Sequence, residues 1–190
     1  ITKFEHIVMG SWLNKAEGTV ITNWEVGDFI STELTCYGQD FGFSTDPTTL
    51  VKVAVDKELR VVYVKEFYGK VNMSTSEILH ENKKIAGLDL IICDSSEPRL
   101  RTELKQGGLT IRPTIKNEKG GSILSHIAVM QDYKIIVDRA SENIIKEINN
   151  YVWHDRNEKP VDKFNHYIDA IRYSMMYLLK GYNSGKYTVR

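Results

Sequence analysis

The chain has 190 residues, 25 basic and 25 acidic side chains, and a 42% hydrophobic composition. That length suits one domain, or one domain with an extra arm, and the apolar share is enough to bury a core that folds alone. The balanced charge excludes a global positive field that would recruit nucleic acid, so any DNA contact must come from local patches or from a partner. No apolar run approaches the roughly 20 residues needed to span a bilayer, and the opening Ile-Thr-Lys-Phe-Glu is not a signal peptide. Two cysteines, Cys36 and Cys93, fall inside predicted strands at no framework spacing, which points to free thiols and a reducing compartment. A chain that begins with Ile is expected to be a fragment of something longer.

In chain order, residues 1–32 mix short apolar groups with Gly10, Gly18 and Gly27 and carry Trp12 and Trp24, and they read as an arm or linker rather than core. Residues 33–190 read as the folded domain. From Leu34 three apolar runs follow, LTCYGQDFGF, TTLVKVAVD and LRVVYVKEFYG, joined through Pro47 and the Asp56-Lys57-Glu58 turn, as in an antiparallel meander. Ser74 or Ser76 can cap a helix that runs to about Ile85. Leu88 to Cys93 is apolar apart from Asp89, which suits a central parallel strand. The Ser95-Ser96-Glu97-Pro98 segment opens a helix that Gly107-Gly108 stops, and Leu109 to Arg112 gives a short strand. Ser122 opens a helix with Ile123, Ile127 and Met130 on one stripe. Then come a strand from Lys134 to Val137, a helix from about Ser141 to Asn149, and a last helix from near Asp162 to about Lys180. A meander followed by crossover units is the ribonuclease H-like arrangement, an α/β fold in which a mixed sheet is flanked by helices.

Three aspartates stand out against this pattern. Asp40 and Asp94 end runs that read as buried strands, and an ionised carboxylate in such a place is costly unless it is paired or holds a metal. In this arrangement the first and fourth of the strands expected within residues 33–190 lie side by side, so Asp40 and Asp94 can meet. On the last helix Phe164, Ile168, Ile171, Met175 and Leu178 form the predicted buried stripe, and Asp162, His166, Asp169 and Tyr173 form the stripe beside it. Taken alone, Asp162 reads as an N-cap, His166 as a satisfied polar residue, and Asp169 as a surface partner for Arg172. The convergence of three acids favours a metal-dependent enzyme of phosphate chemistry.

Four segments in this order, Gly38-Gln39-Asp40-Phe41-Gly42-Phe43 with Asp46-Pro47, Cys93-Asp94-Ser95-Ser96-Glu97-Pro98, Lys119-Gly120-Gly121-Ser122-Ile123, and Asn165 to Tyr173, resemble the C-terminal nuclease domain of the large terminase subunit of tailed bacteriophages. The nearest likeness is to headful-packaging phages of Gram-positive bacteria, and the opening Gly10-Ser11-Trp12 and Gly18-Thr19-Val20 region resembles the stretch after the family's ATPase domain. The resemblance implies Asp40, Asp94 and Asp169 as metal ligands, with His166 as a further catalytic group and Asp46 as an auxiliary one. It also implies a DNA endonuclease that cuts concatemeric viral double-stranded DNA during packaging, with little sequence specificity. Hard carboxylate donors suit Mg²⁺ or Mn²⁺, two ions acting in phosphodiester hydrolysis. Arg99, Arg101, Lys105, Lys116 and Lys119 are the candidate phosphate contacts. The implied partners are the ATPase domain of the full-length chain, the small terminase subunit and the portal protein, in a packaging motor of the host cytoplasm and not in a membrane. One departure is the short link from His154 to Pro160, where family members often carry a longer hairpin. The alternatives are another ribonuclease H-like nuclease, such as a junction resolvase or an integrase-like strand transferase, and a non-catalytic docking module for portal or ATPase.

Overall fold

The computed structural model describes residues 18–114, 122–154 and 159–181. Lys116, Lys119 and the Gly120-Gly121 turn, and also Gly10 and Trp12, lie outside the described residues. Within them a seven-stranded sheet runs in the order β1-β7-β4-β3-β2-β5-β6. Its strands are β1 (Trp24–Gly27), β2 (Leu34–Asp40), β3 (Thr48–Asp56), β4 (Val61–Lys70), β5 (Ile91–Cys93), β6 (Ile111–Pro113) and β7 (Lys134–Asp138). The helices are α1 (Thr75–Ile85), α2 (Pro98–Gln106), α3 (Ile123–Gln131), α4 (Glu142–Asn150) and α5 (His166–Gly181). The β2-β3-β4 meander is antiparallel, while β5 joins β2, β6 joins β5 and β7 joins β4 in parallel.

Local chemistry accounts for most of these boundaries. Ser74 caps α1 through a full capping box with Glu77, and Ser122 accepts from the Ser125 amide to start α3. Asp56 closes the β3-β4 turn by accepting from the amides of Glu58 and Leu59, and it leaves Arg60 with φ 53° to turn the chain back.

The structure corrects the sequence reading in three places. Residues 18–32 are not outside the core: Val20 and Ile21 are buried, and β1 pairs in parallel with β7 at the sheet edge. Only a partner more than a hundred residues away gives that short segment its strand, so nothing local announces it. The last helix begins at His166 rather than near Asp162, because Phe164 sits at φ 56°, which a helix cannot contain. Asp162 therefore caps no helix; it accepts from the Asn165 side chain, and Phe164 is exposed instead of joining the buried stripe. Leu88 is likewise exposed, and β5 starts only at Ile91.

Alternation along the strands decides what faces α5. Cys36 packs in the cluster under α5 and Tyr37 in the one under α1, so Gly38 and Asp40 share the α5 face while Gln39 faces α1. The same parity puts Ile92 and Asp94 toward α5 and Cys93 toward α1. On the α1 side Gln39, Tyr68 and Asn82 close a buried hydrogen-bonded ring with bonds of 2.7–2.8 Å. On the α5 side Gly38 permits the closest approach: an added Cβ would lie 2.2 Å from the Ala170 carbonyl oxygen and 2.4 Å from Ser174 Oγ. Gly38→Ala is accordingly expected to destabilise the domain by about 1–3 kcal/mol, because the obstacle is helix backbone that cannot turn aside. An unaltered urea midpoint would mean that α5 has room to spare.

Candidate metal centre

Strand pairing brings the first two acids together. Gln39 registers with Cys93 in the parallel β2-β5 pair, so Asp40 and Asp94 leave adjacent strands at the same end of the sheet. Neighbouring strands stand about 4.8 Å apart. Helix α5 packs across β2, β3 and β5, and its first turn carries His166 and, three residues on, Asp169. The side chains of Asp40 and Asp169 are only 15% and 16% exposed.

Each acid has an internal partner. The Oδ2 atom of Asp40 meets His166 Nδ1 at 3.2 Å, and the other ring nitrogen, Nε2, lies 3.4 Å from Asp46 Oδ1. Asp169 Oδ1 accepts from Arg172 Nη2 at 2.9 Å and from Nε at 3.1 Å. The Asp94 carboxylate accepts from the amides of Ser95 and Ser96 and from the Ser96 hydroxyl. Among the described residues no three acidic, imidazole or thiol groups stand in a ready metal-holding cluster. The three carboxylates are instead engaged by His166, Arg172 and the Ser95-Ser96 turn.

The electrostatics record a site short of positive charge. Burial pushes the Asp40 carboxyl above its ordinary value even though His166 opposes the shift, and the Asp94 charge adds to it. Burial raises Asp169 too, against the pull of Arg172 and with the help of Asp40. Asp94 and Asp169 thus each lie within electrostatic reach of Asp40. The hydrogen bond to Asp40 raises His166, favouring the imidazolium. Such a donor set, buried oxygens whose ionised forms lack full compensation, fits a hard divalent cation.

Of the other expected residues, Arg99 lines a groove of about 730 Å³ beside Phe41, Phe43 and Asp46, and it pairs with Glu103. Arg101 donates to the Asp94 carbonyl at 3.5 Å, so it braces the acid's backbone, while Lys105 is exposed on α2. The ends of the 154–160 link are tied by an antiparallel bridge between Trp153 and Pro160 and by a bond from the His154 amide to the Lys159 carbonyl.

Two features were not anticipated. Arg172 is not a surface partner of Asp169 but a buried guanidinium, 11% exposed, whose Nη1 also reaches His126 Nδ1 at 3.2 Å. Burial and the Arg172 charge lower His126, which keeps that ring a neutral acceptor. Glu147 is also buried, and burial pushes it up to about 7. Its signal was present in the sequence as a charge at the helical spacing of Ile144, Ile148 and Tyr151, in the middle of an apolar stripe.

A mixed sheet with acids at the ends of two adjacent strands and a third on a crossing helix defines the ribonuclease H-like class with an acidic centre. Residues 40–176, a span that holds all three acids, match the family model described as the terminase RNAseH like domain, and the chain belongs to that family. It is 28% identical over 145 residues to the PBSX phage terminase large subunit of Bacillus subtilis (strain 168), covering 73% of this chain and 33% of that protein. It is also 28% identical over 162 residues to the terminase large subunit of Escherichia phage T5, covering 77% and 36%. The chain therefore spans about a third of the length of these relatives. Among solved structures it is similar to the large terminase nuclease domain of bacteriophage SPP1 with bound Mn, at 26% identity and TM-score 0.65, covering 83% of this chain and 97% of that one.

The His166-Asp40 pair sets a pH dependence with a definite sign. A histidine raised by folding stabilises the native state fully below its unfolded value and loses that contribution as pH climbs through the folded one. In metal-free protein the thermal midpoint of the parent is expected to exceed that of His166→Asn most below pH 6.5, down to where Asp40 takes up its own proton, and the gap should close as pH rises. A gap that widens with pH would reverse the assignment of charge in this pair.

Proposed function

We propose that this domain is the metal-dependent endonuclease of a large terminase, cutting concatemeric double-stranded viral DNA during headful packaging. The observation that carries the reading is the convergence of Asp40, Asp94 and Asp169 at one end of the sheet, with burial opposing the ionisation of Asp40 and Asp169. Those three carboxylates would hold two Mg²⁺ or Mn²⁺ ions. When bound, the ions supply a nucleophilic water at neutral pH and charge neutralisation at the leaving oxygen of the phosphodiester. The chain's own residues do the rest. Arg172 favours the ionised form of Asp169 against the effect of burial and holds the carboxylate in place. His166, bridged between Asp40 and Asp46, keeps a proton facing the acids and can orient a water or a phosphate oxygen. Asp46, exposed on the β2-β3 loop, steadies the outer nitrogen of that ring.

Arg99, Arg101 and Lys105 are the proposed phosphate contacts on the duplex, with Lys116 and Lys119 as further ones. The ATPase domain of the same full-length chain, the small terminase subunit and the portal are the proposed partners, in a motor of the host cytoplasm. No helix among the described residues is long and apolar enough to cross a membrane.

Plasmid cutting with Mn²⁺, Mg²⁺ and EDTA tests the reading. Cutting should require the cation, and Asp40→Ala, Asp94→Ala and Asp169→Ala should each lower it by on the order of 10²-fold or more while folding survives. Full activity in a folded single variant would remove that residue from the centre. His166→Ala should slow cutting yet leave calorimetric Mn²⁺ affinity largely intact, since carboxylates supply most of the binding; loss of metal equal to that in Asp40→Ala would make it a ligand. A protein that binds no Mn²⁺ at all would instead be a docking module. With no net charge, the domain is also expected to bind DNA weakly, with steep salt dependence and little sequence preference. Discrete fragments from linear DNA that map to one motif would contradict this.

A further inference from the structure

Glu147 stands in the last two turns of α4 and is 7% exposed. Its Oε2 atom accepts from the backbone amide of Tyr167 at 2.8 Å and from that of Ile168 at 3.2 Å. These are the two amides between His166 and Asp169. They belong to the opening turn of α5, whose N–H groups find no carbonyl within their own helix. A residue at the helix start would ordinarily satisfy them. Here Asn165 turns its side-chain amide to Asp162 Oδ1, at 3.1 Å, and the acceptor comes instead from a different helix. On the opposite side Thr49 of β3 donates to the His166 carbonyl at 3.3 Å. The turn is thus held from the sheet and from α4 at once, and Tyr167 is seated flush on Gly69, where an added Cβ would meet its hydroxyl at 2.1 Å.

We propose that Glu147 is a positioning residue of the nuclease centre, fixing the height and rotation of the α5 turn that presents His166 and Asp169 to Asp40 and Asp94. The inference rests on the nuclease reading above. What matters is a buried oxygen that accepts two backbone bonds; an amide oxygen can do the same, whereas an apolar side chain of equal length cannot.

Glu147→Met and Glu147→Gln separate these cases, since both fill the space and only the second can accept. Glu147→Met is expected to cut plasmid roughly 10- to 100-fold more slowly and to bind Mn²⁺ more weakly by calorimetry, as when the residue that orients a ligand is lost. Glu147→Gln should recover most of both. Amide hydrogen exchange supplies a readout independent of activity: Tyr167 and Ile168 should lose protection in the Met variant and keep it in the Gln variant. Parent-like cutting and metal affinity in Glu147→Met would overturn the proposal, as would equal losses in the two variants. Should the parent itself fail to cut while Asp40→Ala leaves Mn²⁺ binding unchanged, the nuclease reading would fall. The exchange comparison would still decide whether Glu147 fixes the turn.

Discussion

The close approach of α5 to β2 at Gly38 is the constraint on which the rest of the structure depends. An α-helix can lie against a strand backbone only where side chains do not hold it off, and at Gly38 the nearest obstacles to a Cβ are the Ala170 carbonyl and the Ser174 hydroxyl. Ala170 follows Asp169 directly, and Asp40 follows Gly38 by one step of the strand's two-residue period. The contact that lets the layers pack is therefore the same contact that brings a helix carboxylate to a strand carboxylate. Strand pairing then adds Asp94 without further specification, because the parallel register of Gln39 with Cys93 aligns the two exits.

Bringing three like charges into a half-dry site is unfavourable, and the protein offsets it unevenly. Arg172 gives Asp169 a guanidinium at 2.9 Å, and His166 gives Asp40 an imidazole at 3.2 Å. Burial nevertheless leaves both carboxyls above their ordinary values, so these cations compensate only part of the cost. The partial compensation is consistent with the cation-binding role proposed for this centre. Full internal pairing would compete with a metal, and none would leave the acids protonated.

The order of elements after residue 33 could be read directly, since apolar runs, Ser caps, Pro98 and paired glycines are local signals that tertiary packing did not override. Asp40 and Asp94 stood out for a related reason, since a carboxylate that ends an apolar strand contradicts its surroundings, and Asp169 stood out by its helical spacing beside the buried stripe of the last helix. What escaped was non-local. The strand character of Trp24–Gly27 exists only through pairing with β7, and the burial of Val20 and Ile21 depends on chain far away in the sequence. The start of α5 was misplaced because Asp162 is a plausible cap by composition, and the φ of 56° at Phe164 has no counterpart in residue type. Arg172 looked like a surface charge because spacing along a helix gives a face but not what covers it.

The anchoring of α5 extends one layer further, through a second glutamate. Glu66 on β4 accepts from the amides of Asn143 and Ile144 at the start of α4 and from the Tyr167 hydroxyl at 3.3 Å. Glu147, near the other end of α4, accepts from the start of α5. Neither helix start is satisfied by a side-chain bond from its own leading residue: Ser141 makes no side-chain cap to α4 and instead accepts from the Glu66 amide. Each helix is thus held at its N-terminus by a carboxylate borrowed from the preceding layer, where the positive end of the helix dipole favours negative charge. The sequence β4, α4, α5 forms a chain of positional references that begins in the central sheet and ends at the turn bearing His166 and Asp169. A local cap would define where a helix starts along its own axis, but only a cap from a neighbouring element defines where that start lies relative to the rest of the fold, and the acidic centre requires the second kind of definition.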